Sequence, residues 1–429
     1  MVVFRSLSEK LDVPTILAIF LLFVYGVVVI GGSTLSNITI TGAHIADFYQ
    51  GRRVFEYATI DPGADSWIVF PLERLVVAKM ASGQLPLWDP YTACGKPLAA
   101  DPFFGAYAPT SLLHLMGPYF EDLRFVSRLW IAAVGMFLFL RELGLRKSSA
   151  MAGAITYSLS GAFTLSVQLN WIESTMLTPF LLLSSERLVK RTGFRPVVVL
   201  GGVLALSLLG AHLETIVLQY SFLVLYVFFR VVQIHANVRS RIAVGLGKFA
   251  LATLLAAGFS GFFVIPLLEY LLVSPVTFHS GAGIQSIPFE TTISLFIPYF
   301  IGGVYSSWNP TVPAGAWNWM ACYVGSGALF LTIISVLRMG KRGKQLNYLA
   351  RIFVFLAALA QLKAVGAPVI NWIGYLPVLE SVVFPRYLSF WIACCFAVTT
   401  AIGFDFASNG LVGRRRIVIS WALTLGILG

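Results

Sequence analysis

The chain has 429 residues, of which 58% are apolar and only 11% charged, and its mean hydropathy is +0.82. No soluble domain of this length carries that balance, so the composition describes a polytopic membrane protein. The net charge of +11 resembles a nucleic-acid footprint only until it is divided by position. With the N-terminus in the cytoplasm, twenty-one of the thirty Lys and Arg fall in short inside segments and fourteen of the nineteen acidic residues fall outside. That is the positive-inside pattern, and it excludes nucleic acid as a partner. Carboxylates gather on the other side, so the functional surface is expected to face away from the cytoplasm.

Hydropathy divides the chain into about eleven apolar stretches, each to be compared with the ~20 residues a helix needs to cross a bilayer. The first, 13–32, is too long for a signal-peptide core and reads as an uncleaved signal anchor. The only long polar segment, 33–124, follows as the first extracytoplasmic loop. Spans are then expected at 125–141, 149–168, 171–189, 196–211, 213–233, 242–265, 317–337, 349–365, 386–405 and from 417 onward. Residues 273–317 contain no Lys or Arg and read as a re-entrant or interfacial second extracytoplasmic segment. Residues 367–385 read as a short helix on the outer surface. The final stretch, 417–429, is too short to span, which reads as a C-terminal truncation. The whole is expected to form one all-α transmembrane domain over 1–429.

The four cysteines form no disulfide framework or metal cluster and read as buried small hydrophobes, with a Cys94–Cys322 bridge as the alternative. Asn37-Ile-Thr39 matches a glycosylation sequon, meaningful only in a eukaryotic secretory pathway. No Gly-rich phosphate loop and no Ser/His/Asp or Cys/His pairing occurs, so a nucleotide-fed cytoplasmic active site has no support.

The first loop holds the densest polar motif. It reads Asp61-Pro-Gly-Ala-Asp65, then Glu73-Arg74, Gly83-Gln-Leu-Pro-Leu-Trp88-Asp89-Pro-Tyr91, Cys94-Gly-Lys96-Pro-Leu98 and Asp101 to Pro109. Residues 66–80 have helical apolar spacing, so Asp65 sits at or just before a helix N-terminus. A carboxylate there caps the helix, or serves as a general base at the membrane face. Trp67, Trp88, Tyr91, Phe103, Phe104 and Tyr107 form an interfacial aromatic belt or stack on sugar faces. His212 and Glu214 lie in a tight Gly210–Glu214 turn between two spans. With Glu269 and Glu173 they are candidates for binding substrate hydroxyls or a divalent cation, and equally read as turn residues facing headgroups.

The order of an Asp opening a helix, a Gly-x-x-Pro-x-Trp-x-Pro-Tyr segment, Gly-x-Pro-Leu and Tyr-x-Pro resembles the YfhO-like bacterial membrane proteins, within the GT-C class of multi-spanning glycosyltransferases. Gly210-Ala-His-Leu-Glu214, Pro266-Leu-Leu-Glu269 and the run from Leu376 to Arg386 add to the likeness, which covers roughly residues 60–405. One departure is the stretch between the first span and Asp65, long for this class and containing Asp47, so either aspartate can hold the catalytic position.

The resemblance implies a polyprenyl-phosphate-linked sugar as donor and an envelope glycan, teichoic acid, lipid or protein as acceptor, on the outer face of the inner membrane. That chemistry needs a carboxylate to take the acceptor proton, assigned to Asp65 with Asp47 as alternative. It needs a cation for the departing phosphate, assigned to Arg386, with Lys96 and Lys363 behind it. An interfacial snorkelling arginine is the other reading of Arg386. Asp89, Trp88 and Tyr91 join His212, Glu214 and Glu269 as candidates for substrate binding. Metal dependence stays open, since the class contains both kinds. The rivals are a lipid or oligosaccharide transporter or flippase, a non-catalytic envelope-assembly scaffold, and an oligosaccharide polymerase or ligase.

Overall fold

The computed structural model describes residues 12–30, 35, 68–92, 94–101, 105, 107–116, 121–210, 212–234, 238–273, 279–302, 322–337 and 344–428. The longer helices, in chain order, are α1 (Val13–Val24), α2 (Phe70–Ala81), α3 (Glu121–Glu142), α4 (Lys147–Ser158), α5 (Thr178–Lys190), α6 (Arg195–Leu208), α7 (Leu213–Ile234), α8 (Val238–Phe259), α9 (Gly261–Val273), α10 (Ser326–Leu337), α11 (Lys344–Ala364), α12 (Ser389–Ser408) and α13 (Arg414–Leu428). Between α2 and α3 a two-stranded ribbon pairs β1 (Trp88–Asp89) with β2 (Lys96–Pro97), Trp88 opposite Pro97 and Asp89 opposite Lys96. The all-helical expectation holds.

Among the described residues, four helices are long and apolar enough to cross a membrane: Asp122–Glu142, Leu213–Ile234, Lys344–Ala364 and Phe384–Ser408. A fifth counts only if α8 and α9 are one span, and these meet at 88°. The expected continuous span at 242–265 is therefore broken at Ser260. Its hydroxyl donates to the Ala256 carbonyl at 2.7 Å. The chain then restarts in a new direction between Gly258 and Gly261, where backbone propensity for helix is weakest.

Other expected spans are shorter than hydropathy promised. Helix α4 has 12 residues, α5 13, α6 14 and α10 12. At ~1.5 Å per residue these reach about 18–21 Å against a hydrocarbon core of ~30 Å. Between α4 and α5 the chain makes only single turns, at Gly161–Thr164 and Ile172–Thr175. The outer-surface segment expected over 367–385 is likewise a chain of turns, Pro368–Asn371, Trp372–Tyr375 and Leu379–Ser381. It exposes Val369, Trp372, Tyr375 and Val378. Of the segment expected as the second extracytoplasmic one, 279–302 is described. It lies across the end of α11, where the Ile287 amide donates to the Ala364 carbonyl at 3.0 Å.

Helix α12 is the axis of the bundle and is buried along nearly its whole length. Small residues let its neighbours approach. A Cβ on Gly403 would lie 1.9 Å from the Leu331 carbonyl oxygen of α10, and one on Gly153 of α4 would lie 2.8 Å from the Ala397 carbonyl oxygen. With lipid outside, such close backbone packing replaces the water-driven association of soluble helices.

The two ends of the bundle differ in charge. At one end, Arg146 pairs with Asp405 at 3.1 Å, Arg187 with Glu142 at 3.0 Å, and Arg230 with the fully buried Glu186 at 2.5 Å. This is the end where sequence put the inside loops. The starts of α3, α7 and α12 and the finish of α11 meet at the other end, under the first loop.

Candidate functional site

The site is built on the segment that fails to be helical. Residues 159–177 cap the short α4–α5 pair, and nearly all of their polar side chains are buried: Ser160, Ser166, Gln168, Asn170, Glu173, Ser174 and Thr175. Irregular backbone at membrane depth survives only when enclosed by protein or lining a polar cavity. Here it is enclosed. Gln219 of α7 donates to the Ser174 carbonyl and the Thr178 hydroxyl, both at 2.8 Å, and accepts from Ser207 at 2.7 Å. The Ser174 and Thr215 hydroxyls lie 2.9 Å apart.

Two arginines one helical turn apart on α3 face this segment, and both are almost wholly buried. Arg124 holds Glu73 of α2 in a two-pronged contact, Nη1 to Oε1 at 2.7 Å and Nη2 to Oε2 at 2.9 Å. Arg128 donates from Nε to Glu173 at 2.7 Å and from Nη1 to the Val167 carbonyl at 2.6 Å. The Thr110 hydroxyl also donates to Glu173. Charges this deep are tolerated when paired and hydrogen-bonded. Among the described residues, Glu173 Oε2 and Arg124 Nε have no hydrogen-bond partner. The cluster ties both α2 and the Thr110 turn, hence two parts of the first loop, to the bundle.

Sequence reasoning named Glu173 but singled out neither Arg124, the last residue of the expected first loop, nor Arg128, inside the expected span 125–141. Their i, i+4 spacing at the head of an apolar helix was the available signal.

Beside this cluster the first loop touches the Gly210 turn backbone to backbone. A Cβ on Gly105 would stand 3.0 Å from the Gly210 carbonyl oxygen, and one on Gly210 would stand 2.9 Å from the Ser174 amide nitrogen. His212 follows, buried between Trp171 and Tyr387 with ring centroids 5.7 and 4.6 Å away. Burial first, and then the charge of Arg386, push its imidazole pKa down to about 3, so it stays neutral at physiological pH. Glu214, two residues on, accepts from the Val383 amide at 2.7 Å and lies 2.8 Å from His279 Nδ1. One carboxylate thus joins the 279–302 segment to the loop that leads into α12. Arg386 stands at the start of the Phe384–Ser408 span, with its guanidinium 4.9 Å from the Trp171 ring and 5.7 Å from that of Tyr387.

The remaining expected site residues are dispersed. Asp65 and Asp47, the candidate bases, lie outside the described residues, as do Trp67, Phe103 and Phe104. Lys96 is held by Asp101 at 2.6 Å, which occupies the cation expected to meet phosphate. Asp89 is buried in the ribbon and accepts from the Tyr91 amide at 2.9 Å. Burial would raise its pKa, but hydrogen bonds from Thr92 and Tyr91 and the charge of Lys96 carry it below the usual carboxylate value. Trp88 and Tyr91 are exposed on the same ribbon. Glu269 lies exposed on α9. Among the described residues, no three His, Cys, Asp or Glu side chains converge as a metal site, so His212, Glu214, Glu269 and Glu173 do not form one cage. Cys322, Cys394 and Cys395 are free and buried, and Cys94 is free and exposed.

Two hollows flank α11. An apolar groove of about 390 Å³ runs between α10, α11 and α12, lined by residues such as Leu329, Val336, Phe353, Ala357 and Phe396, with Gln361 at one end. A smaller, partly open cavity of about 110 Å³ lies between α7, α11 and the start of α12.

Comparison with protein families and with curated proteins finds no family model and no sequence that matches this chain. What fold and site define together is an all-helical protein with several helices fit to cross a bilayer and a buried polar layer at one end.

Proposed function

We propose that the chain is a multi-spanning glycosyltransferase of the GT-C type, moving a sugar from a polyprenyl phosphate to an extracytoplasmic envelope acceptor. On this reading the short helices complete about eleven crossings of the inner membrane, the N-terminus is cytoplasmic, and the site end is outside. The observation that carries the proposal is the shared layer of Arg386, Glu214, His212 and Trp171 beside the first loop. It supplies a guanidinium for phosphate oxygens next to hydrogen-bonding groups and aromatic faces for a sugar, with an apolar groove nearby for an isoprenoid chain.

In the reaction the acceptor oxygen attacks the anomeric carbon while the carbon–oxygen bond to phosphate breaks, inverting the configuration. The acceptor proton passes to a carboxylate, Asp65 or in its place Asp47, and polyprenyl phosphate departs with the bonding electron pair. Arg386 stabilises the charge that develops on it. Lys96, paired with Asp101, recedes as a phosphate ligand.

Envelope glycans analysed by mass spectrometry in a host lacking the protein test this. One sugar decoration disappears in the deletion, returns with wild type, and stays absent with Asp65→Asn or, failing that, Asp47→Asn, at matched membrane levels. Arg386→Ala also leaves it absent. Full decoration with both aspartate variants, or a product of retained configuration, defeats the proposal.

A transporter or flippase is the second reading. The 88° break between α8 and α9 and the buried irregular 159–177 segment favour it, because discontinuous helices build many transport sites. A deletion that leaves every decoration intact but strands a lipid-linked precursor on one leaflet selects it over transfer.

A further inference from the structure

Helix α9 turns away from the bundle at the site end. Helix α8 packs along α6 and α7, and α7 is one of the four helices fit to cross a membrane. The 88° bend at Ser260 therefore sets α9 across the bundle axis, in the plane of a bilayer. Its 13 residues reach about 20 Å against a hydrocarbon core of ~30 Å, so α9 would not cross even if it stood upright. One side of it is covered. Phe263 and Leu267 are buried against Ala100 of the first loop, with Leu209 and Leu213 beside them. Phe262 meets Tyr107 of the same loop edge to face, with ring centroids 5.0 Å apart.

The other side is bare and apolar. Ile265, Leu268 and Leu272 recur at helical steps along one stripe and are 68%, 54% and 87% exposed. The stripe runs on from α8, since Phe259 and Phe262, on either side of the bend, are both exposed. Two features of the same helix keep it out of the hydrocarbon centre. Glu269 is exposed at the margin of the stripe, and a carboxylate is expensive at mid-bilayer. Pro266 has no N–H to offer the Phe262 carbonyl four residues back, a deficit that water can fill and hydrocarbon cannot. A stripe that needs lipid and a carboxylate that needs water are both served at one depth, the headgroup boundary. No Lys or Arg occurs between Lys248 and Arg338, so burial of apolar surface rather than attraction to anionic lipid has to hold the helix there.

We propose that α9 is an in-plane helix seated in the lipid leaflet at the site end, with Ile265, Leu268 and Leu272 among the acyl chains and Glu269 at the headgroups. Because the opposite side of α9 carries Ala100 and Tyr107, the helix also fixes the height of the first loop over the lipid surface. On the proposed topology this leaflet is the outer one. The inference involves no sugar and no donor, and it holds for a transferase and a transporter alike.

Spin-label depth measurements on the full chain, reconstituted in phosphatidylcholine nanodiscs, test it. Cys94→Asn removes the one exposed thiol among the described cysteines and suits the left-handed backbone there (φ 63°); Cys322, Cys394 and Cys395 are buried. In that background Ile265→Cys, Leu268→Cys, Glu269→Cys and Leu272→Cys each receive a nitroxide, at exposed positions where a label disturbs no packing. Collision with oxygen reports hydrocarbon, and collision with a water-soluble nickel chelate reports water. The labels at 265, 268 and 272 should collide with oxygen and not with the chelate, at a common depth of about 5–10 Å into the headgroup–acyl boundary. The label at 269 should meet the chelate. A depth that changes steadily by about 10 Å from 265 to 272, as ~1.5 Å per residue requires of an upright helix, overturns the proposal. So does chelate access at 265, 268 and 272, which would put the stripe in water, or a label at 269 as shielded from the chelate as its neighbours. Low collision with both reagents along the stripe also overturns it, since a protein partner or a second copy would then cover α9.

Discussion

Arg124 of α3 grips Glu73 of α2 through two parallel hydrogen bonds of 2.7 and 2.9 Å, with neither side chain more than 5% exposed. Because Glu73 lies in the first loop and Arg124 in the first of the long spanning helices, the pair fastens the loop to the bundle. Removing one partner strands a buried charge. Arg124→Ala should therefore cost about 3–5 kcal/mol, whereas the double change Arg124→Met with Glu73→Leu should cost much less. Thermal unfolding in detergent of the two single variants and the double variant measures the difference. Equal losses in all three would mean that the cost comes from losing the pair itself rather than from a stranded charge.

Gly403 should tolerate no side chain. Its Cβ would stand 1.9 Å from the Leu331 carbonyl oxygen and 2.7 Å from the carbon that bears it, both backbone atoms on α10. Gly403→Ala is expected to separate α10 from α12 and destabilise the bundle by about 1–3 kcal/mol or more. Gly202→Ala, where a Cβ meets nothing within 4 Å, is the control and should be near neutral or stabilising.

Gly95 sets the ribbon. Its φ of 109° is left-handed, and a Cβ there would lie 2.7 Å from the Trp88 ring. Gly95→Ala should cost on the order of 1–3 kcal/mol locally. The expected readout is faster protease cleavage between β1 and β2 with little change in the unfolding temperature of the bundle.

His212 predicts a pH dependence. Its folded pKa of about 3 lies below the ordinary value of 6.5. Between those values the unfolded chain binds a proton that the folded one refuses, so stability rises with pH across that window and is lost as pH falls through it. The full swing is several kcal/mol on the scale of ~1.4 kcal/mol per unit. His212→Asn, which keeps a polar side chain beside the first turn of α7, should flatten the slope between pH 4 and 6.5 in thermal-shift measurements. An unchanged slope would assign the effect elsewhere.

What the sequence revealed depended on run length. Asp122–Glu142, Leu213–Ile234, Lys344–Ala364 and Phe384–Ser408 each stand out because about twenty apolar residues follow one another with charges only near the ends. Hydropathy failed at 149–189, since Ser, Thr, Asn and Gln are individually too mild to lower a window average. Their clustering over 158–178 nevertheless marks where backbone leaves the helix. The bend at Ser260 left a fainter trace, two glycines around a serine inside an apolar run. At the site, the Gly210–Glu214 turn and Arg386 were legible from their position between spans. Arg124 and Arg128 were not, because their partners Glu73 and Glu173 lie 51 and 45 residues away. Lys96 was legible as a cation but not as one already engaged, because Asp101 reaches it through the turn after β2.

The brevity of α4 and α5 bears on how the protein is made. Twelve and thirteen residues, joined by a polar link holding Glu173, form a pair that a membrane will not accept on its own terms. Helix α3 leaves the ribosome before this pair, carrying the Arg128 that Glu173 will meet. Helix α7 follows, bringing Gln219 to the carbonyl of Ser174. On the proposed reading in which the α4–α5 pair crosses the bilayer, its insertion is conditional on its neighbours, and the middle of the chain is assembled as a group rather than threaded one helix at a time.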